Sequence, residues 1–218
     1  MPGETRRLPL FPLNTVLFPH ATLPLQIFEE RYKTMLQDCQ QFDMSFGAVL
    51  IKSGSEVGEH AEPHRVGTVA KIVQVSDGGK GKFFISAIGQ QRFRILTITL
   101  DRPYMTGQVE LLDDDLDSEQ ELLPAEVSSL RKAVMRYTQT VVGLGGNWVG
   151  NLKLPEDPVK LSYFIPKLLQ IEPRNKQALL EMPTVFARLE TERSIVETQH
   201  ARLKSRLHKE LLGKFSRS

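Results

Sequence analysis

Several residue types are too scarce in this 218-residue chain to support whole classes of function. Cys39 is the single cysteine, which excludes an internal disulfide and suits a reducing compartment. No run approaches the roughly 20 apolar residues that a membrane span needs. The opening MPGETRR leads into a strand-like stretch with no apolar leader, so a cytoplasmic location is expected. Charge of one sign is lacking too. Lys and Arg number 28 against 26 Asp and Glu, and a net charge of +2 favours neither nucleic acid nor an acidic surface as partner.

Motifs that carry chemistry are missing as well. A phosphate loop needs a glycine turn with a lysine behind it. DGGKGKF, GLGGNWVG and LLGKF come nearest, and none reads GxxxxGK followed by Ser or Thr. His60 and His64 in HAEPH sit four apart like a helical metal pair, but Pro63 and the surrounding Gly and Glu residues make this a loop. No GxSxG elbow occurs. The expectation is a protein without catalytic residues, cofactor or metal.

What is present is a change of pattern. Up to about residue 112, SFGAVLI, RVGTVAKIVQV, KFFISAI, QRFRILTITL and YMTGQVELL carry the β-branched and aromatic residues of strands. SDGGKG between two of them is a hairpin turn signal, and Gly89 marks a bulge or bend. A helical stripe of Ile27, Tyr32, Met35, Leu36 and Cys39 interrupts the strands at about 28–40, with Cys39 a small core residue. Pro9, Pro12, Pro19 and Pro24 lie in a strand-like stretch, and short extended pieces along a barrel rim are expected there. Beyond an acidic run at 113–126, helices are expected at about 120–142, 158–169, 174–181 and 184–212, with Thr184 as a cap and Gly213 as a stop. The chain thus divides into a β-rich part, 1–115, and a helical part, 116–218.

The stretch LPLFPLNTVLFPHATLPLQIFEERYKTML resembles the start of the Lon protease N-terminal domain, whose pattern runs PLFPL…VLFP…LPL.IFE.RY. FGAVLI, VGTVAKIVQV, GQQRFRIL and RPYMTGQVE follow in the family order, and NKQALLEMPTVFARL is similar to the family's helical half. The resemblance covers about residues 7–210. It implies an α+β fold: a PUA-like β-barrel followed by an α-helical bundle ending in a long helix. It also implies binding of unfolded or tagged polypeptides, self-association, and an adaptor or chaperone-like part in proteolysis beside a protease or chaperone. In Lon the long helix leads into ATPase and Ser-Lys protease modules. Neither a Walker motif nor a protease dyad is present before Ser218, so a stand-alone, non-enzymatic protein of this type is expected.

An RNA- or small-ligand-binding PUA-like module is the alternative. Nucleic acid is disfavoured because the basic run at 200–218 has no aromatic before Phe215 to stack on bases.

Phe28, Glu29, Arg31 and Tyr32 match the family's FE.RY, and Arg92 matches the Arg after its Gly-x-x. Phe28 and Tyr32 are the expected peptide contacts, in a groove beside the barrel. Glu29, Arg31 and Arg92 are expected to form a latch between the early helix and the barrel, the alternative being that Arg takes a peptide carboxylate in the groove. Trp148, the single tryptophan, is either a further peptide anchor or a pin for its own glycine-rich loop.

Overall fold

In the computed structural model, residues 4–55, 61–114, 124–144 and 152–215 are described. They form seven strands and five α-helices: β1 Thr5–Leu13, β2 Thr22–Ile27, α1 Glu30–Asp38, β3 Ser45–Ser53, β4 Glu62–Pro63, β5 Val66–Gly79, β6 Lys82–Thr99, β7 Thr106–Leu112, α2 Pro124–Leu144, α3 Pro158–Leu168, α4 Pro173–Glu181 and α5 Val185–Phe215. The chain divides into two compact units, residues 1–113 with 171–181, and residues 114–170 with 182–218. Helix α4, which lies in the helical part of the sequence, therefore belongs with the strands.

In the first unit, β1, β7, β6, β5 and β3 pair in that order, and β3 pairs back onto β1 to close a five-strand ring. The ring is not an even barrel. β2 lies outside it, paired with Phe83–Ile88 of β6, while Arg92–Thr99 of the same strand pairs with β7. Register shifts along β5 and β6 bend this long pair, one of them beside Gly89, where a bulge is expected from the sequence. At the far end, Lys80 and Gly81 both take positive φ in a two-residue turn, the geometry that matches strand twist.

The expected extended piece LPLFPL lies unbroken within β1, but as a paired strand of the ring and not as a rim piece. Thr5–Pro9 pairs with β7 and Leu10–Leu13 with β3, so each half of the strand is bonded on one side. Leu10 N donates towards β7, to Met105 O at 2.8 Å. By alternation, the N–H that Pro9 lacks would face β3 before that pairing begins. The one Pro12 lacks would face β7 after that pairing has ended. Neither proline removes a ladder bond. Pro24 sits on β2, which pairs with β6 alone.

Inside the ring, Leu8, Leu10, Val49, Val69, Phe93, Ile95 and Val109 form the core. Gly47 and Gly67 leave room for the Phe93 ring, since a Cβ at either would come within 2.7 Å of its Cζ. Outside the ring, α1 buries Tyr32, Met35 and Leu36, with Cys39 following in a 3-10 turn. Burial pushes the Cys39 thiol up to about 12.

In the second unit α5 packs against α2 and α3. Its 31 residues reach about 45 Å at 1.5 Å per residue. Thr184 caps it through Oγ1, which accepts from Ala187 N at 3.2 Å. Gly213 does not end it, because the helix continues to Phe215. Asp157 caps α3 by accepting from Lys160 N at 2.8 Å. Arg188 is fully buried over the Tyr163 ring, 4.1 Å from its centroid.

Candidate functional site

Residues of the FE.RY match take different environments within five residues of chain. Tyr32 is 5% exposed and stacks on Phe11, with ring centroids 4.1 Å apart and planes 10° from parallel. The Arg31 guanidinium lies 4.5 Å from the Tyr32 centroid and pairs with Glu29 at 3.0 Å. Tyr32, expected as a peptide contact, is thus part of the packing of α1 on the ring. Phe28 is 48% exposed.

Glu29 and Arg92 do not meet, which corrects the expected latch. Glu29 binds Arg31, two residues along. Arg92, 2% exposed, donates to Leu180 O at 3.0 Å and Asp113 O at 3.2 Å. Arg92 therefore fastens a helix to the sheet, but that helix is α4. Gln177 assists by donating to Val66 O at 2.9 Å. The reason is geometric: Arg92 pairs with Leu112 of β7 and Thr68 of β5, which places it where α4 lies on β5.

Sequence reasoning missed a second fastening of α1. Tyr104 donates to Asp38 Oδ2 at 2.6 Å, and Arg102 binds the same oxygen at 2.5 Å. The Tyr104 hydrogen bond holds the Asp38 carboxyl below its usual range, and burial pushes the Tyr104 phenol up to about 12. Only DRPY, an ordinary turn sequence, signals this cluster.

Exposed large apolar residues occur just past β2 and on β5 and β6. Along β2, Thr22, Pro24 and Gln26 point outward while Leu23 and Ile27 are buried. Phe28, one residue past the strand, continues the outward alternation. Gln26 pairs with Phe84, which is 50% exposed, so Phe28 and Phe84 share the outer face. Val73, at a register shift, and Val75 are exposed on β5. Among the described residues no group of three or more His, Cys, Asp or Glu is placed to hold a metal ion. His64 faces Glu181 at 3.4 Å, while His60 and Trp148 lie outside the described residues. No described helix is long and apolar enough to cross a membrane.

Residues 7–198 match the family described as the ATP-dependent protease La (LON) substrate-binding domain. Similar proteins include Lon protease 2 of Desulfotalea psychrophila, 28% identical over 98% of this chain and 28% of the relative. Lon protease 2 of Herpetosiphon aurantiacus is 29% identical over 86% of this chain and 23% of its own. The chain thus spans about a quarter of the length of these relatives. Among solved structures, a Lon N-terminal domain protein from Xanthomonas campestris aligns with a TM-score of 0.61 at 27% identity, covering 85% of this chain and 96% of that one. The N-terminal domain of a Mycobacterium avium complex Lon protease aligns with a TM-score of 0.60 over 88% and 98% of the two chains, and at 13% identity it shares the fold.

Proposed function

Because the chain belongs to the ATP-dependent protease La (LON) substrate-binding domain family, we propose that it binds unfolded or tagged polypeptides through the outer face of β2 and β6. The observation that carries this reading is the pair of phenyl side chains, Phe28 and Phe84, half exposed on one face beside Gln26. Each offers an anchor for an apolar side chain of a client. Strand addition is a poor rival mechanism, because Pro24 interrupts the donor row of the β2 edge. In this role the protein performs no chemistry of its own and acts as an adaptor or holder, with a protease or chaperone as recipient. It neither hydrolyses ATP nor cleaves casein.

Titration of a fluorescently labelled, permanently unfolded protein tests the reading. Contacts of this kind give binding of micromolar order that salt weakens only mildly. Replacing both Phe28 and Phe84 by Ser is expected to weaken it by about tenfold or more, the loss expected when two apolar anchors are removed. Unchanged affinity in the double variant, or affinity that collapses with salt, would overturn the assignment.

A further inference from the structure

We propose that one end of the five-strand ring is a binding pocket for a polypeptide carboxylate, with Arg6 as the cation that receives it. The proposal rests on the polypeptide-binding reading and adds a specific contact to it. Strand alternation builds the pocket. On β1 the inward residues are Arg6, Leu8 and Leu10, so the apolar core series ends in a guanidinium. On the other ring strands the next residues of the inward series are Ser45 of β3, Lys71 of β5, Gln91 of β6 and Leu111 of β7, and all four line the same cavity. Every strand of the ring thus contributes to a single cavity of about 290 Å³, which Asp43 and Gln90 also line. Its floor is the apolar core, including Val69.

The polar groups in this cavity are unevenly satisfied. Lys71 Nζ is held by Asp43, at 2.6 Å from Oδ1 and 2.5 Å from the main-chain oxygen. Gln91 Nε2 donates to Asp113 Oδ1 at 2.9 Å. Arg6 Nε, by contrast, is buried with no hydrogen-bond partner. A buried guanidinium N–H without an acceptor is costly; Nε itself has no open surface, so a carboxylate would answer the charge from the exposed edge of the guanidinium. Among the lining residues alone, Arg6 and Lys71 against Asp43 leave one positive charge, enough for a singly charged carboxylate and too little for a phosphate dianion. Gln90 makes only a long 3.4 Å bond to Ile88 O, so its amide is available as a second donor. The volume admits one residue's end group. The ligand is therefore either a chain-terminal carboxylate or an Asp or Glu side chain.

Three short probes separate these sources: N-acetyl-Gly-Ala with a free carboxylate, N-acetyl-Gly-Asp amide, and N-acetyl-Gly-Ala amide. The wild-type protein is titrated with each while the Arg6 Nε–H resonance is followed by NMR. The resonance is expected to move with at least one carboxylate probe and not with the neutral amide, and the probe that moves it names the source. Arg6→Gln, checked for a wild-type melting temperature, should weaken that probe by about tenfold or more, as loss of a charge-assisted hydrogen bond implies. No response to any probe, or an equal response to all three, overturns the proposal without recourse to a variant. The labelled unfolded protein is titrated in parallel. If it binds while Arg6 is indifferent, only the carboxylate pocket falls. If it does not bind, the polypeptide reading itself falls.

Discussion

Arg92 Nη1 donates to the main-chain oxygen of Leu180 at 3.0 Å across 88 positions of sequence, joining β6 to α4. A second bond, from Nη2 to Asp113 O at 3.2 Å, ties the same side chain to the end of the β7 segment. Arg92→Ala would leave both carbonyls without this donor, at about 1–3 kcal/mol for each buried group left unsatisfied. The expected loss is about 3 kcal/mol in urea unfolding, with α4 amides exchanging faster than those of β6. A variant that unfolds at the wild-type urea concentration would refute this role.

The latch shows where sequence reading stops. GQQRFRIL singles out Arg92 as a residue of interest, but nothing in it names the groups that Arg92 meets. Its acceptors are main-chain carbonyls, which every residue owns, so composition and spacing carry no mark of them. The return of α4 to the strands is equally silent, since PRNKQALLE reads as a helix wherever it packs. Helix and strand positions were legible because period 3.6 and period 2 are local properties. The pairing of β1 within the ring was not, because Pro9 and Pro12 are harmless only given which neighbour pairs with which half. The pocket at Arg6 requires the register of five strands, and no single segment contains that. Within the FE.RY match, the sequence could not tell exposed Phe28 from buried Tyr32, four residues on.

That difference has a measurable consequence. Tyr32→Ala removes a buried ring stacked on Phe11 and the surface beneath the Arg31 guanidinium. Large-to-small changes of this kind cost about 3–5 kcal/mol. Phe28→Ala changes an exposed side chain, and its effect on stability should stay within about 0.5 kcal/mol. Chemical denaturation of the two variants side by side checks the assignment, and equal losses would contradict it.

Gly67→Ala tests how tightly the ring is filled. The added Cβ would lie 2.5 Å from Ala48 O, 2.6 Å from Val49 Cγ1 and 2.7 Å from Phe93 Cζ. Overpacking of this kind costs about 1–3 kcal/mol. Trimming the ring through Phe93→Leu should restore little, because the nearest clash is with backbone. A double variant as stable as wild type in a thermal melt would show that the Phe93 ring, not the Ala48 carbonyl, limits the space.

Glu192 sets a pH dependence within the second unit. Its side chain is fully buried, and neither carboxylate oxygen has a hydrogen-bond partner. Burial raises its pKa well above the usual carboxylate range, opposed only in part by Arg188 one turn earlier on α5. The Arg188 guanidinium is directed elsewhere, donating to Ser162 Oγ at 2.9 Å and to Asp114 Oδ1 and Met182 O at 3.3 Å each. Below the ordinary Glu value of 4.5 both folded and unfolded chains hold this proton, and the stabilising contribution of the neutral acid is fully present. As pH rises further, the unfolded chain releases the proton while the folded chain keeps it. Stability then falls by up to about 1.4 kcal/mol per pH unit until the folded-state value is passed. Glu192→Gln keeps the shape and cannot ionise. The variant should match wild type at pH 4 and exceed it at pH 8, with a gap in urea midpoint that opens as pH rises above 4.5 and levels off once the folded-state value is passed. Taking the difference between two chains that share every other titrating group isolates this one carboxyl. A gap that is constant with pH, or that closes as pH rises, would mean that Glu192 is ionised in the folded protein.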